Sequence, residues 1–138
     1  MADRYTLDAS VAAKWFNNEN LTDKAIRVRE AFVKGEIGLV APEHILYDVG
    51  NSIWKNKALT PEDAIVAIRS LTELEIDLVR LTPQMAENAM KIARESSITF
   101  YDAAYVTLAN HLDASLISAD QEILSKSKKS IHLKDFRL

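Results

Sequence analysis

YTLDASVAAKWF, residues 5–16, changes its periodicity part-way along. Residues 4–7 suit a short strand that ends at Asp8, and residues 9–17 then follow a helical pattern. An acid thus stands where one element gives way to the next. The same reading continues outward along the chain. A helix is predicted over roughly 21–34, with Ala25, Val28 and Phe32 on one side. Gly35 and Gly38 bracket a turn into a short apolar strand near Leu39 and Val40, and Pro42 is expected to open a helix that runs to about Lys57.

The text TPED gives the clearest helix start, with Thr60 as cap, Pro61 first and Asp63 third, and Ala64, Ile65, Ile68 and Leu71 as its apolar face. A strand around 76–80 comes next. A helix started by Thr82 and Pro83 carries Met85, Ala89, Ile92 and Ala93, and another covers about 101–112. The strand ASLIS at 114–118, a short helix from Asp120 and a short strand near Ile131 complete the order. Strands that alternate with helices predict an α/β fold built on a mostly parallel sheet with helices on both faces, because each parallel return needs a crossover. Ligands of such folds gather beyond the carboxyl ends of the strands.

Composition narrows the class. The chain has 138 residues, 48% of them hydrophobic, with three prolines and three glycines, which suits one domain over 1–138 with a core of its own. The absence of cysteine excludes disulfides, thiolate metal sites and cysteine nucleophiles. The N-terminal MADRYTLDAS has no apolar signal-peptide region, and no stretch approaches 18 uncharged apolar residues; a cytoplasmic protein with no membrane partner is expected. A formal net charge of −3 offers no global attraction for a polyanion. The clearest local excess, Lys126, Lys128 and Lys129 in SKSKKS, is read first as a solvated loop and second as a phosphate-contacting edge.

Asp8, Asp48, Asp102 and Asp120 all lie near changes of element, in YTLDAS, YDVGN, FYDAAY and ISADQE. Taken singly, Asp8 and Asp120 suit helix N-caps, and Asp102 suits the third position of a box capped by Thr99. Asp48 fits capping poorly, since it falls about five residues inside its predicted helix. Taken together, four carboxylates remain ionised side by side when a divalent cation offsets their repulsion. Oxygen donors suit Mg²⁺ or Mn²⁺, and the scarcity of histidine argues against zinc. His44, His111 and His132 are read as surface or capping groups. Ser10 either caps its helix or bonds a carboxylate, Asn51 lies one turn after Asp48 and is placed to orient it, and Lys14 lies one turn beyond Ser10 as a phosphate contact or a solvated cation. Core burial is the first reading of Trp15, Phe16 and Trp54, a partner interface the second.

The segments YTLDASVAAKWF at 5–16, YDVGNSIWK at 47–55, ITFYDAAYVTLA at 98–109 and LISADQEI at 116–123 together resemble the successive acidic motifs of PIN domains, in particular the VapC-like toxins of toxin-antitoxin pairs. The resemblance covers essentially the whole chain. It implies a three-layer α/β/α sandwich with a five-stranded, mostly parallel sheet, and a Mg²⁺- or Mn²⁺-dependent ribonuclease that hydrolyses RNA phosphodiester bonds. It also implies control by a VapB-like antitoxin, and a homodimer. By the same resemblance Asp8, Asp102 and Asp120 match acids of the metal site, Ser10 the hydroxyl after the first acid, and Asn51 the asparagine beyond the second. Asp48 departs from the pattern, because the family usually has glutamate there. That departure keeps a second expectation in view: a catalytically weakened PIN-like module that binds RNA or protein. A receiver-like phosphoryl-transfer domain also places Asp after a parallel strand, but YDVGN and FYDAAY on helices favour the PIN reading.

Overall fold

The structure, a computed structural model, describes residues 3–138. The statements below concern those residues. Five strands form one sheet: β1 (Asp3–Leu7), β2 (Ile37–Pro42), β3 (Asp77–Val79), β4 (Leu116–Ser118) and β5 (Ser130–His132). Their spatial order is β3-β2-β1-β4-β5, and every neighbouring pair is parallel. The order reverses around β1, so the carboxyl ends of β1 and β4 lie side by side. That is where an α/β fold of this kind opens a crevice.

Seven α-helices connect and cover the strands: α1 (Ala9–Ala12), α2 (Thr22–Val33), α3 (Ile45–Lys55), α4 (Pro61–Glu73), α5 (Pro83–Ser96), α6 (Phe100–Leu112) and α7 (Gln121–Lys126). Three of them start as the sequence predicts. Thr60, Thr82 and Thr99 each accept a bond from the N–H three residues on, at 3.1, 3.2 and 3.1 Å, a contribution of about 1 kcal/mol per cap. Adjacent residues of β2 then show how both faces of the sheet are covered, because successive side chains of a strand point to opposite sides. Val40 packs with Met85 of α5 and Leu108 of α6, whereas Leu39 belongs to the larger core with Val28 of α2. The mixed α/β architecture agrees with the expected PIN-like sandwich.

Three expectations need correction. Pro42 does not open a helix; it ends β2, paired with Val79, and α3 begins only at Ile45. Its missing N–H is tolerated because β1 accompanies β2 only as far as Val40, leaving the end of the strand with a neighbour on one side. The helix expected over 9–17 is one short turn of α1 that tightens into a 3₁₀ turn over Ala13–Trp15. On α4 the buried positions are Ala67 and Leu71, with Ala64 and Ile68 half-buried, while Ile65 is exposed. No helix is long and apolar enough to cross a membrane.

Candidate active site

β1 ends at Leu7, and Asp8 follows as the N-cap of α1 with its side chain 1% exposed. Its carboxylate is held on both sides. The Ser10 hydroxyl and backbone N–H donate to Oδ1 at 2.6 and 3.0 Å, and the Ser118 hydroxyl donates to Oδ2 at 2.6 Å. The serines are themselves fixed by the neighbouring strand: Ala119 N–H donates to Ser10 Oγ at 2.9 Å, and Asp120 N–H donates to Ser118 Oγ at 2.9 Å. A single network therefore ties the end of β1 to the end of β4. Asp120 caps α7, accepting from Glu122 N–H at 2.9 Å and Ile123 N–H at 3.4 Å. Capping and clustering are both true of Asp8 and Asp120, since a short helix started at the sheet edge puts its cap there.

Asp102 occupies the first turn of α6 behind Thr99, and Asp48 the first turn of α3. The hydroxyl of Tyr105, one turn after Asp102, donates to Asp48 Oδ2 at 2.7 Å. Tyr105 is 1% exposed, and burial together with Asp48, Asp8 and Asp102 keeps its phenol protonated as a donor. His44 packs against it with ring centroids 4.7 Å apart and the ring planes tilted by 56°, and its Nε2 lies 3.5 Å from Asp48 Oδ2 and 3.1 Å from the Tyr101 carbonyl.

The electrostatics report the same convergence. Burial pushes the Asp8 carboxyl up to about 6, against its hydrogen bonds from Ser10 and Ser118, and the charge of Asp120 adds to the rise. The Asp102 carboxyl is also raised, by burial first and then by Asp120, with smaller contributions from Asp48 and Glu122. Each charge makes the next harder to ionise. Among the described residues no three acidic or histidine side chains close into metal-ligating geometry. The donor set still fits a hard divalent cation: it is all oxygen, and such an ion offsets the neighbouring charge that adds to burial in raising two of its proton affinities.

Sequence reasoning missed Ser118, Tyr105 and Glu122 and misread His44, which is not a helix-surface group but packs against Tyr105 and Asp48. The only sequence signal for Tyr105 was its place one helical turn after Asp102, the same spacing that tied Asn51 to Asp48. Asn51 makes no hydrogen bond to Asp48; it is exposed and lines a groove between α3 and α4. Trp54, expected in the core, stands 75% exposed on that groove. Trp15 is buried and donates from its indole N–H to the Ala25 carbonyl at 2.7 Å. Lys14 is half-buried on the 3₁₀ turn after α1 and forms no ion pair among the described residues. Lys129 pairs with Asp113 at 2.9 Å, at the far side of the sheet from these acids.

Residues 5–129 match the PIN domain family. The chain belongs to that family. It is 31% identical to "Exonuclease VapC9" of Pyrobaculum aerophilum over 86 residues, 62% of this chain and 65% of that one. The match thus spans slightly under two thirds of that relative's length. It is 28% identical to "Ribonuclease VapC3" of the same organism over 128 residues, 89% of this chain and 94% of the relative. The fold is shared with the VapBC2 complex of Rickettsia felis, solved on a DNA fragment from its promoter. That match has a TM-score of 0.71 at 12% identity and covers 94% of this chain and 97% of the other. Membership in the family supports a nuclease-type enzymatic role.

Proposed function

We propose that this chain, as one domain over 1–138, is a divalent-metal-dependent endoribonuclease of the toxin kind in the cytoplasm, restrained by a VapB-like antitoxin. The observation that carries this reading is the bonded and electrostatically coupled set Asp8, Asp48, Asp102 and Asp120 at the reversal of strand order. The family match and the ribonuclease and exonuclease names of its relatives support it.

In this reading the four aspartates hold Mg²⁺ or Mn²⁺, whose chemistry when bound is to acidify a water and to offset charge on the phosphate. Ser10 and Ser118 fix the direction of both Asp8 oxygens. Tyr105 holds one oxygen of Asp48, Oδ2, with the His44 ring beside the same oxygen. In the same reading Lys14, on the turn after α1, is the phosphate contact, whereas Asn51 is exposed on the outer side of α3 and takes no part in holding Asp48.

The groove between α3 and α4 supports the partner assignment. It encloses about 700 Å³ and carries Tyr47, Trp54 and Ile65 at 75%, 75% and 55% exposure. An apolar patch of this kind marks a docking surface, and the antitoxin or a second copy of the chain in a homodimer is the occupant it suits. The second reading, a weakened module that binds RNA or protein without cutting, draws on the open spacing of the acids.

Incubating the purified protein with a broad RNA panel and Mg²⁺ or Mn²⁺ tests the proposal. Cleavage is expected, including of a circular RNA that offers no ends, and it should vanish in Asp8→Asn or Asp102→Asn. No cleavage of any RNA would refute the enzyme and leave the binding module. Cleavage of linear but not circular RNA would refute the endonuclease in favour of an end-directed one.

A further inference from the structure

Beside the acids lies a second, smaller cavity of about 240 Å³, lined by Pro42, Val79, Arg80, His44, Phe100 and Tyr101 among others. It sits at the carboxyl ends of β2 and β3, where Glu43 N–H donates to the Val79 carbonyl at 3.0 Å and holds the two strand exits together. Its floor is apolar. Its wall is aromatic: Tyr101 is 63% exposed and Phe100 38%, although both belong to the first turn of a helix whose next seven residues after Asp102 are all buried. At its rim stand two exposed residues of opposite charge, Arg80 and Glu43, and neither forms an ion pair among the described residues.

Two links join this cavity to the candidate active site. Tyr101 immediately precedes Asp102, and His44, whose ring stands 5.8 Å from that of Tyr101 and 4.7 Å from that of Tyr105, reaches within 3.5 Å of Asp48 Oδ2. A chain of rings therefore runs from the cavity to the carboxylates.

We propose that this cavity is a nucleobase subsite: it takes the unpaired base of a nucleotide adjoining the scissile phosphate, stacked on Tyr101, with Arg80 meeting that nucleotide's backbone. The inference rests on the ribonuclease reading of the neighbouring acids. Exposed aromatic faces bind splayed bases of single-stranded RNA because every base offers a π-face, and a nearby guanidinium adds a phosphate contact or a second stacking plane. An aromatic pocket with no cation at its rim would suit a greasy peptide equally well; Arg80, on the opposite strand exit from the Glu43 carboxylate, together with adjacency to the proposed phosphate site selects the nucleotide. Tyr101 is then a specificity-determining residue, and the substrate it favours is single-stranded at the cut.

The test pairs a protein change with a substrate change. An RNA with a mapped cleavage site is compared with versions that are abasic on either side of the cut bond, using wild type, Tyr101→Ala and Tyr101→Trp. Wild type should lose about 10-fold in kcat/KM at one abasic position, the size expected for one stacked base. Tyr101→Ala should lose as much on intact RNA and nothing further on that abasic RNA, and Tyr101→Trp should restore the rate. An equal loss for Tyr101→Ala with and without the base would overturn the subsite.

Binding of a fluorescent single-stranded RNA in chelator separates this failure from failure of the enzyme reading. If no RNA is cut, yet Tyr101→Ala weakens binding about 10-fold and only when the base is present, the subsite stands and the nuclease falls. If RNA is cut with no coupling between Tyr101 and any base, the nuclease stands and the subsite falls.

Discussion

The two faces of α3 meet different surroundings. Toward the sheet, Asp48 is held by the Tyr105 hydroxyl at 2.7 Å, next to carboxyl groups whose proton affinities rise because they are buried together. Toward the outside, Tyr47 and Trp54 are 75% exposed along the groove shared with α4. One face carries charge with too little water around it, the other apolar area with too much. Both are unfavourable for the chain alone, and each is relieved by a different class of ligand: a cation for the first, an apolar partner surface for the second. A helix of 3.6 residues per turn serves both because Tyr47 and Trp54 fall on one side of it, roughly 20° apart, while Asp48 is turned away from them by about 100° to 120°.

The sharpest way to break this comparison is to remove a charge from the inner face and area from the outer face separately. Asp102→Asn should lower RNA cleavage on the order of 100-fold or more, the scale of losing an electrostatic group at a reacting centre, while binding to a partner through the groove is unaffected. Gel assays of cleavage and pull-down of the cognate antitoxin read the two effects. Equal loss of both would mean that the two faces are one site.

Asp8 provides a test on stability. Its folded carboxyl is raised from 3.8 to about 6, so the folded protein binds a proton there more tightly than the unfolded chain does. The stabilisation is fully present below pH 3.8 and is lost as pH rises through about 6. A shift of this size corresponds to about 3 kcal/mol, an upper figure because other carboxylates titrate in the same window. Metal-free protein should therefore melt at a higher temperature at pH 5 than at pH 7. In Asp8→Asn that difference should shrink, and saturating Mg²⁺ should flatten it in the wild type. A melting curve insensitive to Mg²⁺ and unchanged by Asp8→Asn would contradict the inner face as a charge-strained site.

On the outer face, Trp54→Ala should weaken the partner by about 2 kcal/mol, as loss of a central aromatic anchor does. Because the side chain is three quarters exposed in the chain alone, its removal should leave the melting temperature nearly unchanged. A large drop in melting temperature would show that Trp54 serves the chain's own core after all. The smallest expected effect is that of Tyr105→Phe, which deletes one hydroxyl from the buried side of Asp48. A supporting group of this kind is worth roughly 10-fold in metal affinity or activity, measurable by Mn²⁺ titration.

How far the sequence foretold this picture differs between the two faces for a physical reason. The strand-to-helix junctions at Asp8 and Asp120 were legible, since a change of periodicity and a capping carboxylate are both local signals. Thr99 likewise announced the start of α6 and so the position of Asp102. Ser118 and Tyr105 gave no such signal: they act across 110 and 57 positions of sequence, and only the packing of β1 beside β4 and of α3 beside α6 makes them neighbours of the acids. Pro42 was misread because a proline before an apolar helix and a proline at the last rung of a strand look alike locally. Trp54 and Ile65 were misread because periodicity reports that a helix has an apolar face, and says nothing about whether the chain itself covers it.

The central claim is that Asp8, Asp48, Asp102 and Asp120 act as one cation site, with the unusual Asp48 a full member. Divalent-ion titration and RNA cleavage of folded Asp48→Asn, beside wild type at the same pH and ionic strength, test it most directly. The account predicts weaker ion binding and reduced cleavage, because the change removes an anionic oxygen while nearly preserving shape. Wild-type affinity together with wild-type cleavage in that variant would contradict it and leave Asp48 outside the site.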